Sequence, residues 1–167
     1  MKSLRILSLG IFILLSSHGL LAQETTTVYL FRHAEKVKTD PNDRNPHLTA
    51  KGVQRSNTWA SFFEKIAIDQ IYSTPYHRTQ ETVAQIAKLK NLPVHTYTPS
   101  NKAVDSIVKS NLGKQLIFVG HSNTIPGHTN KLLGQKKFKD MSEGDNHSLF
   151  IVQLQGEDAT VVRIFVD

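Results

Sequence analysis

Three short hydrophobic runs in this 167-residue chain are closely followed by basic side chains, and they alternate with segments of helical periodicity. Arg32 and His33 follow Val28, Tyr29, Leu30 and Phe31. Arg78 lies just past Ile71, Tyr72 and Ser73, and His121 follows Leu116, Ile117, Phe118, Val119 and Gly120. Strand-like and helix-like segments that alternate in this way favour an α/β architecture with a mostly parallel sheet. In such a sheet ligands sit in the crevice beyond the carboxyl ends of the strands, so residues at three strand ends can meet at one edge. Two arginines and two histidines meeting there form an anion pocket.

The segments are read as follows. Residues 25–31 form the first strand. Residues 49–66 form a helix with Thr49 as N-cap, because Trp59, Phe62, Phe63 and Ile66 recur at the spacings of one buried face. A short strand spans 68–73, and Ser73 or Thr74 caps the next helix with Pro75 at its first position and Val83, Ile86 and Ala87 as its apolar stripe. Then come a strand at 93–97, a short helix at 102–110 and the most hydrophobic strand at 115–120. Strands at 147–154 and 159–166 flank the turn-rich tetrad Gln155, Gly156, Glu157 and Asp158, which predicts a terminal hairpin. The irregular stretch 38–47, rich in Asp, Asn and Pro, suits a loop over a site. The expected fold is a single-domain three-layer α/β sandwich: a mostly parallel central sheet, helices on both faces and an antiparallel C-terminal strand.

The first segment reads as a targeting signal. Lys2 and Arg5 precede the apolar stretch 6–21, which ends at Ala22 and Gln23 as in a secretory signal peptide. The expected division is a signal peptide at 1–22 and one domain at 23–167, with a periplasmic or secreted product and no membrane anchoring after cleavage. An uncleaved anchor is the competing reading. The run falls a little short of the ~20 apolar residues a spanning helix needs, and His18 interrupts it, whereas Leu20 is an unusual residue three positions before the cut. With no cysteine there is neither lipid attachment at that boundary nor a disulfide, so the fold stands on its core. Without Lys2 and Arg5 the formal charge falls from +6 to +4, and the scattered Lys and Arg residues argue against nucleic acid as a partner. The histidines show no HExxH or HxxxH spacing and have no cysteine partner, so neither a metal nor another cofactor is expected. No heptad or long apolar surface stripe is visible, and a monomer is expected.

Four blocks together carry a resemblance. Arg32, His33, Ala34 and Glu35 directly follow a strand; Leu48, Thr49, Ala50, Lys51 and Gly52 come next; Ser73 to Thr79 with Thr82 form the third block; and Gly120, His121, Ser122, Asn123 and Thr124 the fourth. In this order, each at a strand or helix boundary, they resemble the histidine phosphatase (phosphoglycerate mutase-like) superfamily, and in size its short bacterial branch, which includes phosphohistidine phosphatases. The resemblance implies a catalytic set of His33, Arg32, Arg78 and His121, with Glu35, His77, Ser122 and Asn123 near the substrate. The partner it implies is a small phosphorylated substrate.

The residue types suit that chemistry. Phosphoryl transfer needs a nucleophile in line with the leaving group and cations around the equatorial oxygens. A neutral imidazole at His33 can attack phosphorus to give a phosphohistidine, and its other ring nitrogen should donate to a backbone carbonyl. Arg32 and Arg78 present planar forks that stay charged, and His121 completes the ring as a donor. Larger members of the family carry a carboxylic acid after the third strand to protonate the leaving oxygen. Here residues 97–107 offer only Asp105, with Glu35, Glu81 and Asp145 as other candidates. Without such an acid, substrates with good leaving groups are favoured.

Plainer readings stand beside these. Arg32 or Arg78 taken singly reads equally well as a surface ion pair, Arg78 with Glu81 on one helix face. His121 also reads as a satisfied buried histidine, and His47, His77 and His95 as polar surface residues, with His77 beside the rim. Three functions compete: an exported phosphomonoesterase, a phosphoglycerate mutase-type phosphotransferase, and a non-catalytic phosphate-binding module.

Overall fold

In the computed structural model, which describes residues 24–167, one six-stranded sheet organises the chain. The expected signal peptide lies outside the described residues, and among these no helix is long and apolar enough to cross a membrane. The elements run β1 (Thr26–Arg32), α1 (Ala50–Phe63), β2 (Gln70–Ser73), α2 (His77–Lys90), β3 (Val94–Thr96), α3 (Asn101–Lys109), β4 (Gln115–Gly120), α4 (Thr124–Leu132), β5 (Ser148–Gln155) and β6 (Asp158–Phe165). The strand order is β3-β2-β4-β1-β5-β6. The first four strands are mutually parallel, β5 runs antiparallel to β1, and β6 antiparallel to β5.

The period-two alternation of side chains splits β1 and β4 between two cores. Val28 and Leu30 of β1 join Leu116 and Phe118 of β4 on the face covered by Val104 and Val108 of α3 and Ile125 of α4. Tyr29 and Phe31 join Ile117 and Val119 on the other face, under Trp59 and Phe63 of α1 and Val83 and Ile86 of α2. The α/β three-layer sandwich expected from the sequence is the observed one. Phe31 stacks on Trp59 at 4.3 Å between ring centroids. It thereby fixes the end of β1 immediately before Arg32, and truncating such a buried ring costs about 3–5 kcal/mol.

Local chemistry sets most boundaries. Thr49 caps α1 by accepting from Gly52 N at 3.1 Å, and Ser100 caps α3 by accepting from Ala103 N at 3.2 Å. Gly52 is required for close packing: a Cβ there would stand 2.2 Å from the Glu35 carbonyl oxygen. The terminal hairpin closes through Gly156 at φ +61 with Gln155 paired to Asp158, as in a two-residue turn with glycine first.

The structure corrects three details. Helix α1 stops at Phe63, and only Trp59 and Phe63 of its expected apolar set are fully buried. Helix α2 starts two residues later than expected, with Tyr76 as N-cap, because Ser73 and Thr74 are spent elsewhere: the Ser73 hydroxyl donates to the Thr74 carbonyl and Thr74 bonds to Thr79. Helix α4 has no counterpart among the expected elements. It holds Pro126 and Gly127, yet a proline in the first helical turn has no intrahelical partner to lose.

Candidate active site

The carboxyl ends of β1 and β4 lie side by side, with Arg32 opposite Gly120 in the ladder. The pairing extends one residue further, since His33 N donates to the Gly120 carbonyl at 3.0 Å. His33 and His121 are thereby held as neighbours, with ring centroids 5.5 Å apart. Ser73 at the end of β2 is opposite Val119, and Thr74 N donates to the Val119 carbonyl at 3.3 Å, which carries the chain into Arg78 at the start of α2. The three strand ends named by the sequence therefore converge on one edge.

His33 is buried, and its Nδ1 lies 2.8 Å from the Ala34 carbonyl oxygen. A carbonyl only accepts, so Nδ1 carries the proton and Nε2 of the neutral ring keeps its lone pair. Burial, with the Arg32, His121 and Arg78 charges, lowers the His33 pKa to about 3, although the bond to Ala34 acts the other way. Burial and the charges of Arg78, Arg32 and Lys36 lower His121 to about 4. The backbone around His33 is fixed from two sides: Asn146 Nδ2 donates to the His33 carbonyl at 2.8 Å, and Ala34 N donates to Thr82 Oγ1 at 2.8 Å. Thr82 in turn donates to the Arg78 carbonyl at 2.6 Å, linking the His33–Ala34 segment to the second arginine. His121 Nε2 shares a hydrogen bond of 3.2 Å with Thr74 Oγ1.

Both guanidinium groups are held on one side and unsatisfied on the other. Arg32, only 3% exposed, donates through Nη1 to the carbonyls of Ser142 and Glu143 at 2.9 and 2.8 Å. Arg78 lies over the Tyr76 ring at 4.4 Å and donates through Nη1 to the Arg44 carbonyl at 3.2 Å. Burial, followed by repulsion from Arg32, lowers the Arg78 pKa against the opposing pull of Tyr76 and Asp43. In each arginine Nε is buried without a hydrogen-bond partner. A buried N–H of a cation left unpaired is costly.

A cavity of about 190 Å³ opens beside Arg32 and His33. Its wall includes Lys36, Lys38, Lys51 and Asn146, together with Glu35 and Glu143. Glu143 bonds to Lys38 at 2.7 Å and lies 3.5 Å from Arg32 Nη2, so an exposed carboxylate stands at the edge of the anion pocket. Glu35 lines the cavity, but its carboxylate is clasped by Arg55 at 2.9–3.0 Å. Burial raises its pKa, and the hydrogen bonds from Arg55 outweigh this and lower it.

The structure brings Arg32, His33, Arg78 and His121 together. It places the remaining sequence candidates differently. The His77 ring is exposed and stacks on His47 at 4.3 Å rather than on the four. Ser122 uses its backbone carbonyl to accept from Met141 N at 2.9 Å, and Asn123 is the N-cap residue of α4. Among the described residues neither side chain hydrogen-bonds to the ring. Thr74 was read only as a helix cap within the third block, while Asn146 and the carbonyls of residues 142–143 escaped sequence reasoning. Their one signal was the turn-rich run Glu143, Gly144, Asp145 and Asn146 just before a strand.

Residues 28–98 match the family model of the histidine phosphatase superfamily (branch 1). Over these 71 of 167 residues the chain is similar to the histidine phosphatase superfamily. The matched segment holds Arg32, His33 and Arg78, and solved structures extend the likeness of fold over most of the chain. The protein histidine phosphatase SixA complexed with tungstate aligns with TM-score 0.67 and 15% identity, covering 83% of this chain and 96% of that one. A mutant phosphoserine phosphatase from Entamoeba histolytica in complex with phosphoserine aligns with TM-score 0.65 and 18% identity, covering 85% and 97%. Phosphoglycerate mutase from Bacillus anthracis aligns with TM-score 0.64 and 13% identity, covering 86% and 94%. Among curated proteins no sequence matches this chain.

Proposed function

We propose that this histidine phosphatase-fold chain is an exported phosphomonoesterase that works through a phosphohistidine on His33. The observation that carries the reading is a neutral imidazole with Nδ1 tied to a carbonyl, flanked by the buried Arg32 and the half-buried Arg78, whose buried Nε atoms lack partners. In the first step Nε2 of His33 attacks phosphorus, forming the P–N bond as the bond to the leaving oxygen breaks. Arg32 and Arg78 hold the equatorial oxygens, with His121 beside them. Water then attacks phosphorus, the P–N bond breaks, and inorganic phosphate leaves a neutral imidazole behind. Export rests on the N-terminal sequence alone, and secretion of the full-length chain with loss of residues 1–22 is its test.

The carboxylates favour substrates with good leaving groups. Every candidate proton donor is engaged as an acceptor: Glu35 by Arg55, Asp105 by Lys109 at 2.9 Å, Asp145 by Arg163 at 2.7 Å, and Glu81 by His47 and by Leu48 N at 2.8 Å. A carboxylate whose oxygens already accept hydrogen bonds from neighbouring groups is poorly placed to protonate a leaving alkoxide. Since a general acid contributes roughly 10²–10⁴-fold, p-nitrophenyl phosphate and phosphoramidates should outpace alkyl phosphates by about that factor. Equal rates on both classes would reveal a proton donor and remove this part of the proposal.

The decisive experiment quenches the protein with labelled substrate and locates the phosphoryl group. An acid-labile phosphoryl group on His33, with turnover lost in His33→Ala, is the expected result. Label on another residue, or undiminished turnover in His33→Ala, rules the mechanism out. Phosphate or vanadate binding without turnover would leave a binding module, and transfer within a substrate without phosphate release would leave a mutase.

A further inference from the structure

At the entrance to the site, the loop at 38–47 meets the first turns of α2 through a second cluster that the proposed phosphatase chemistry does not use. His47 comes from the loop, and His77 and Glu81 project from α2 four residues apart, hence on one helix face. One ligand atom from each of the three lies within 4.8 Å of the others. The loop is docked beside them by two further bonds: His77 N donates to Asn45 Oδ1 at 2.8 Å, and Arg78 Nη1 donates to the Arg44 carbonyl. Glu81 bonds to His47 through Oε1, while Oε2 accepts from Leu48 N.

We propose that His47, His77 and Glu81 form a binding site for one divalent transition-metal ion of the zinc class, a clip that fastens the loop to α2 across the phosphate-site entrance. Two imidazoles and a carboxylate are a ligand set suited to Zn²⁺, Ni²⁺ or Cu²⁺ rather than to Mg²⁺ or Ca²⁺, and they leave a coordination position for water. Around one ion at about 2.0–2.2 Å, tetrahedral ligand atoms lie roughly 3.5 Å apart. The cluster must therefore contract, and the two stacked rings, 11° from parallel, must splay. Both histidines are exposed, whereas Glu81 is half-buried and braced by Leu48 N, so it supplies the fixed corner. Arg78 lies next to His77 and bonds to Arg44 of the same loop, so an occupied clip would also hold the second arginine in place. The metal stands outside the phosphoryl-transfer steps, and its binding is independent of the proposed enzymatic activity.

The test is a titration of the purified full chain, stripped with chelator, with Zn²⁺ in phosphate-free buffer, read by calorimetry or a chromophoric competitor. The expected result is one ion per chain, with affinity falling at least tenfold in both His47→Ala and His77→Ala and unchanged in the exposed-histidine control His95→Ala. Near-UV circular dichroism confirms that each variant is folded, and His77→Gln replaces His77→Ala if that variant is not. Proteolysis within residues 38–47 should slow on zinc addition in the parent and not in His77→Ala. Absence of binding, binding unmoved by both histidine variants, or binding lost instead in His33→Ala or His121→Ala would overturn the clip.

Discussion

The candidate active site has two halves built on different principles. The strand-end half, His33, His121 and the base of Arg32, is part of the sheet itself: the β1–β4 ladder continues through the His33 N bond to Gly120. The loop half, residues 38–47 and 142–146, reaches the site by separate contacts such as those from Asn45 to His77 N, from Arg44 to Arg78, and from Glu143 to Lys38 and Arg32. Reacting atoms must be held to fractions of an ångström, and a ladder with both faces packed does this. Admitting and discriminating substrates needs surfaces that can move, and loops supply those. Orientation therefore resides in the sheet edge, and charge tuning and access in the loops.

The largest effect that tests this division is on turnover. Arg32→Ala should lower kcat/KM by about 10²–10³, the scale of a lost transition-state donor, and Arg78→Ala comparably. Lys38→Ala on the loop should cost less than about fivefold, because its partner Glu143 is exposed and the pair is screened. Equal losses from Arg32 and Lys38 would break the division.

Acid stability tests the electrostatics of the strand-end half against the rest of the molecule. His33, His121 and His128 have pKa values lowered to about 3, about 4 and about 4, chiefly by burial. Below pH 6.5 the unfolded chain takes up protons that the folded chain refuses, so stability falls with pH until each folded pKa is reached. The slope approaches about 1.4 kcal/mol per pH unit for each histidine between roughly pH 6 and 4. Urea midpoints measured across that window should fall steeply, and His128→Gln should flatten the slope by one such contribution. Saturating phosphate should relieve the part due to His33 and His121 and leave the His128 part, since an anion offsets the arginines only in the site. A pH-independent midpoint would refute the assignment.

Two smaller effects probe the seam between the halves. Asn146→Ala strands the buried His33 carbonyl and should cost about 1–3 kcal/mol in denaturant unfolding, a penalty that a purely peripheral loop would not show. Glu143→Gln removes the carboxylate at the edge of the pocket. Phosphate affinity should rise about two- to fivefold at low salt, and the gain should shrink as ionic strength rises. Weaker phosphate binding in that variant would show that Glu143 helps to build the pocket instead of competing for it.

The fold was legible because its signals are local. The runs at 28–31 and 116–119 are strands with both faces buried, Thr49 announces its helix, and the Gln155 to Asp158 tetrad its hairpin. What was missed was missed for physical reasons. Pro126 and Gly127 have poor helix propensity, and α4 forms because it packs Ile125 onto the sheet. The start of α2 was misplaced because two hydroxyls that resemble caps are used inside the strand-to-helix turn.

The sequence by itself determined the α/β architecture and the chemical types at the strand ends, because periodicity and the residues that follow each run are properties of neighbours along the chain. Tertiary structure alone decided which side chains face one another: that Asn146 fixes the His33 carbonyl, that Glu143 meets Arg32, and that His47 joins His77 and Glu81. Those pairings cross between 30 and 113 residues of chain. They depend on where loops land after the sheet has assembled, which no local pattern encodes.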